Sequence, residues 1–111
     1  RAQALKWSSL AADMGSAQSR NDYAWLLATS KFEGLRNGTL AVDQASKAVE
    51  EVPTAAFLDT LAAAYAELGN FELAVSTQRQ AIASIADDED ELTEQLEERL
   101  RFYERSEPWR E

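Results

Sequence analysis

Two segments of this chain echo one another at a fixed distance. Ala41 and Ala48 recur as Ala74 and Ala81, in each case 33 positions later. A period of that length is the mark of stacked helical hairpins, in which one unit buries its apolar face only against the next. The clearer copy begins at Leu58, passes Leu61, Ala62 and Tyr65, turns at Gly69-Asn70 and continues through Ala74 and Val75 to Ala81 and Ile82. It reads as helix, turn, helix. No segment alternates apolar and polar residues with the period of two that a half-buried strand requires. The expected fold is therefore all-α, a single domain of antiparallel helix-turn-helix repeats with about six helices.

The expected first helix covers roughly residues 2–14, with Trp7, Leu10, Ala11 and Met14 on one stripe, and Gly15-Ser16 ends it. The second covers roughly residues 19–30 and carries Tyr23, Ala24 and Leu27, flanked by Trp25 and Leu26. A loop over 31–38 follows, closed by Asn37-Gly38, after which Thr39 is placed to cap a third helix running to about Glu51. Its inward residues are Ala41, Ala45, Ala48, Val49 and Val52. Pro53 stops it, and Thr54 caps a fourth helix over 55–68 with the stripe Leu58, Leu61, Tyr65 and Leu68. Gly69 suits the left-handed position after that helix, and Asn70 caps a fifth over 71–86. The sixth opens at Asp87-Asp88, with Glu91 spaced for a capping box and Leu92, Leu96, Leu100 and Tyr103 as its stripe.

The small residues set the packing. Ala62, Ala74 and Ala81 allow two antiparallel helices to approach closely, and Ala24, Ala41 and Ala48 form the matching trio upstream. Ala24 to Ala41 is 17 positions and Ala62 to Ala74 is 12, so the five extra residues lie in the loop over 31–38.

This spacing resembles the tetratricopeptide repeat (TPR) family, whose pattern runs W-x2-L-G-x2-Y, A-x3-F, A and P. Leu58, Leu61, Ala62, Tyr65, Ala74, Gln78 and Ala81 take those places in one unit, with Leu58 for the Trp and Gln78 for the large apolar residue. Ala24, Leu27, Ala41, Ala45, Ala48 and Pro53 take them in the other. The segments around Asn21–Thr29 and Leu58–Tyr65, and the ending Pro108-Trp109-Arg110-Glu111, look like the C-terminal repeats of bacterial TPR proteins. The resemblance implies a short TPR-like superhelix. Residues 1–16 would be the second half of a preceding unit, 17–54 a first repeat with an extended loop, 55–86 a second repeat, and 87–111 an acidic capping helix and tail. The chain starts at Arg1, and reads as the C-terminal piece of a larger protein or a mature product.

Composition narrows the function. There is no cysteine or histidine, which removes disulfides, thiolate metal sites and the commonest general base. No glycine-rich phosphate loop or nucleophile elbow occurs, so no enzyme, metal or cofactor is expected. Net charge is −9, and residues 87–111 hold eleven acids against four bases. Such a surface disfavours nucleic acid and anionic membrane, both of which require clustered Lys and Arg. No run approaches the roughly 18 apolar residues of a membrane span. The acidic run Asp87–Glu91 lacks the alternating ligands and central glycine of a calcium loop and reads as a helix start. Nothing indicates a compartment.

What remains is protein interaction. The resemblance implies a concave groove lined by Gln18, Asn21, Trp25 and Thr29 from the first repeat and by Ala56, Asp59, Thr60, Ala63 and Glu67 from the second. With no basic residue among them, the groove suits a neutral or basic peptide or partner helix. Trp25 either anchors that ligand or packs beneath the loop or against the first helix. The alternative is a structural terminus that caps a longer array and binds nothing. An open groove favours the first reading and a filled groove the second. Trp7, Leu10 and Met14 add a third expectation, a homodimer through the first helix.

Overall fold

The computed structural model describes residues 17–85 and 89–110, and the expected first helix lies outside them. Within them the chain is helical and has no strand. Five helices appear in order: α1 (Ala17–Thr29), α2 (Gly38–Glu51), α3 (Ala55–Glu67), α4 (Phe71–Ala83) and α5 (Asp90–Glu104), with a short 3-10 turn at Glu33–Leu35 between α1 and α2. The pairs α1–α2 and α3–α4 are hairpins. The helices α1 and α2 both pack on α3, and α5 packs on α4.

Alanine makes these approaches possible. Ala24, Ala41, Ala45, Ala48, Ala62, Ala64, Ala74 and Ala81 are completely buried. One core cluster joins Tyr23, Leu27 and Leu61 across α1, α2 and α3. A second joins Ala62, Ala66, Ala74 and Tyr103, with Phe71, Phe102 and Trp109 packed against it. A third joins Leu58, Ala81 and Leu96. Because its neighbours come so close, α3 is buried continuously from Phe57 to Ala64, not only along one stripe.

The helix ends follow local chemistry. The side chains of Thr54 and Asn70 accept from the backbone N–H of Phe57 and Leu73, as the sequence predicts. At α2 the cap is Asn37, two residues before the expected Thr39: its Oδ1 accepts from Leu40 N–H. Gly38 thereby becomes the first helical residue, where its missing side chain matters. A Cβ there would stand 3.0 Å from Leu68 N and 3.2 Å from Glu67 C. Val52 and Leu68, expected to face inward, instead sit just past their helices and are 40% and 48% exposed. The last helix begins at Asp90, with Asp90 and Glu91 in its first turn, and Glu89 at the cap makes no side-chain cap bond. Asp87 and Asp88, the other members of the expected start, lie outside the described residues.

Two turns are built alike. After α3, Asn70 N–H donates to Tyr65 O and Gly69 N–H to Ala66 O, with Gly69 at φ 85°. After α5, Glu107 N–H donates to Phe102 O and Ser106 N–H to Tyr103 O, with Ser106 at φ 58°. Both are Schellman closures with one left-handed residue. The second reverses the chain and, with Pro108 two positions on, sends the C-terminal arm, Glu107–Arg110, back over the helices.

Candidate functional site

The face presented by α1 and α3 gathers the side chains the sequence assigns to a groove, and the C-terminal segment lies across it. On α3, Asp59 is buried. It accepts from Gln78 Nε2 of α4 at 2.9 Å and is paired with Arg99 of α5. Gln78 also donates from Nε2 to Leu96 O at 2.9 Å, which ties α4 to α5 inside the core. This explains a glutamine where the repeat pattern wants a large apolar residue. An apolar side chain there would leave Asp59 and a buried carbonyl without that donor.

Arg99 is held between two rings. Its guanidinium carbon lies 4.8 Å from the centre of the Trp25 ring and 5.2 Å from that of Trp109. Such stacking suits a guanidinium, which is flat and weakly hydrated. Trp109 in turn meets Phe102 edge to face at 5.1 Å. One residue on, Arg110 reaches Glu67 at 2.8 Å and donates to Ala28 O at 3.4 Å. Glu67 also faces Arg36 of the extended loop at 3.6 Å, and Arg36 donates to Ser30 O at 2.9 Å. The loop insertion therefore delivers an arginine to the same carboxylate that holds the arm.

The expected groove residues divide accordingly. Asp59 and Glu67 are tied to arginines from elsewhere in the chain. Trp25 is half-buried, packed on the first core cluster below and on Arg99 above. Thr29, Thr60 and Ala63 are buried, and the two hydroxyls donate to Trp25 O and Ala56 O within their own helices. Gln18 is exposed and donates to Asp22 at 2.9 Å. Asn21 is buried, and its Oδ1 has no hydrogen-bond partner among the described residues. A shallow depression bordered by Asn21, Asp22, Trp25, Ala56, Asp59, Thr60 and Arg99 stays open on this face.

Sequence reasoning missed Arg99, Trp109, Arg110 and the role of Gln78. One signal was readable. Leu92, Leu96, Arg99 and Tyr103 follow the helical i, i+4, i+7, i+11 spacing, so an arginine stands in the stripe beside Leu100.

The site carries one perturbed titration. Burial pushes the Tyr103 hydroxyl above its usual pKa; Asp59 pushes the same way and Arg99 opposes. No cluster of metal-ligating side chains occurs among the described residues, and no described helix is long and apolar enough to cross a membrane. Compared with known proteins, the chain matches no family model, no curated protein and no solved structure at a significant level.

Proposed function

We propose that this chain is a non-catalytic terminal module of a TPR-like helical array, with its inner face partly covered by α5 and the C-terminal arm. The observation that carries the reading is the arginine pair. Arg99 and Arg110 occupy the two carboxylates, Asp59 and Glu67, that a groove ligand would have to engage. Engagement of both carboxylates within the chain favours a capping role, while the depression at Asn21, Trp25, Ala56, Asp59 and Thr60 stays open. The fold supports the same reading through its paired hairpins, alanine contacts and 33-residue spacing.

The test is the seal itself. Trp109→Ala combined with Arg110→Ala removes its outer half and leaves the helices untouched. The capping reading expects the melting temperature, followed by far-UV circular dichroism, to fall by several degrees while the folded baseline keeps its helical signal. An unchanged melting temperature overturns it, because a seal that contributes nothing to stability is not a cap.

A further inference from the structure

The arm covers one end of the face, and does so with visible imperfections. Its turn places Ser106, a residue with a Cβ, in the left-handed region at φ 58°, where glycine is the unstrained choice. Trp109 buries its indole N–H without a hydrogen-bond acceptor among the described residues. The Arg110 bond to Ala28 O is long, at 3.4 Å. Against this stand contacts of definite chemistry: a ring stacked on the Arg99 guanidinium, and a guanidinium on the Glu67 carboxylate. The face therefore specifies what it receives more sharply than this arm satisfies it.

We propose that the inner face is a receptor for a partner segment carrying an aromatic residue followed by an arginine, and that the arm is its built-in competitor. The aromatic ring takes the position of Trp109 on Arg99, and the arginine takes the position of Arg110 on Glu67. The Glu67 carboxylate selects the arginine of this occupant by charge complementarity. Tethering gives the arm a high effective concentration, so the intact chain rests closed and a partner must displace it. This goes beyond the capping reading, which needs the seal only to be closed and says nothing of exchange.

The probe is a fluorescently labelled peptide with the sequence of residues 106–111, titrated by anisotropy. Three chains are compared: the intact chain, the Trp109→Ala/Arg110→Ala variant, and that variant carrying Glu67→Gln. The proposal expects saturable binding to the double variant, weaker by about tenfold or more to the intact chain, where the arm competes. It also expects a further loss of about tenfold with Glu67→Gln, the size of one lost charge-assisted contact. A peptide with alanine for its Trp and Arg should not bind. Arg110→Ala alone provides a second host should the double variant not fold, with helical content checked first. No binding to a folded arm variant overturns the proposal, as does equal binding to the intact chain. Concentration-dependent dimers of the intact chain in sedimentation also overturn it, since the occupant is then the arm of a second copy. A lowered melting temperature without peptide binding defeats this inference alone and leaves the capping reading standing.

Discussion

The helix α3 is held from two sides by opposite means. Toward α2 and α4 it meets mainly alanine: Ala62, Ala64 and Ala66 share core clusters with Ala41, Ala45 and Ala74, and the Gln78–Asp59 hydrogen bond adds a buried polar contact to α4. Toward the C-terminal segment it meets charge: Asp59 and Glu67 with Arg99 and Arg110. Alanine contacts fix how near two helices can lie but place no constraint on which segment supplies the partner surface. The charged side does the reverse. A buried carboxylate tolerates very few neighbours, so it selects a particular segment even where the net stabilisation is small. The two turns repeat the contrast, with Gly69 adopting the left-handed conformation freely and Ser106 adopting it under strain.

The largest expected effect breaks the charged side. Asp59→Ala leaves the partly buried Arg99 and the buried Gln78 without their shared carboxylate, and should cost about 3 kcal/mol. For a domain of this size that lowers the melting temperature by more than about 10 °C, measurable by calorimetry. A loss below about 1 kcal/mol would show that the pair does not anchor α5.

Next comes the close-packed side. Gly38→Ala drives a Cβ to within 3.0 Å of the Leu68 backbone nitrogen, which cannot move aside as a flexible side chain would. Overpacking of about 1–3 kcal/mol outweighs the better helix propensity of alanine. Urea denaturation with an unchanged m-value would show the loss directly. Neutrality would mean that the α2 start can shift away from the α3 end.

Ser106→Gly sharpens the comparison of turns. It should stabilise the chain by up to about 1 kcal/mol if relief of left-handed strain exceeds the added freedom of the unfolded state. The same substitution should tighten arm closure, seen as weaker trans-peptide binding. Destabilisation would indicate that the serine hydroxyl contributes something the turn geometry does not require.

The smallest effect at neutral pH belongs to Tyr103→Phe. The Tyr103 hydroxyl is buried without a hydrogen-bond partner among the described residues, so its removal should change stability by less than about 1 kcal/mol. The pH dependence is the sharper readout. Burial raises the pKa of this group in the folded chain, so the neutral phenol favours folding. That contribution is complete below the ordinary tyrosine value near 10 and is lost as the pH climbs above it. Stability of the parent chain should therefore fall more steeply above pH ~10 than that of the phenylalanine variant. Parallel curves would place the hydroxyl in contact with solvent.

Much of the helical framework was legible because it rests on local rules. Apolar spacing, the caps at Thr54 and Asn70, the stop at Pro53 and the left-handed Gly69 depend on residues within a turn or two of each other. The errors at Val52 and Leu68 arose where periodicity was extended past a helix end. Thr39 lost the cap to Asn37 because Gly38 lets α2 start earlier against Leu68, a tertiary contact.

The pairing of Asp59 and Glu67 was not legible for a related reason. The Asp59–Arg99 pair spans 40 positions and the Arg110 bond to Ala28 spans 82. A carboxylate on a helix surface reads as solvated until something covers it. By itself the sequence determined an all-helical chain, its hairpins and the alanine positions where they meet, since these follow from periodicity and side-chain size. Only the tertiary structure decided that Asp59 and Glu67 on the face of α1 and α3 are engaged, because Arg99 comes from α5 and Arg110 arrives through a backbone reversal at Ser106. Charge pairing and ring stacking then hold them, and both depend on distances in space with no counterpart in spacing along the chain.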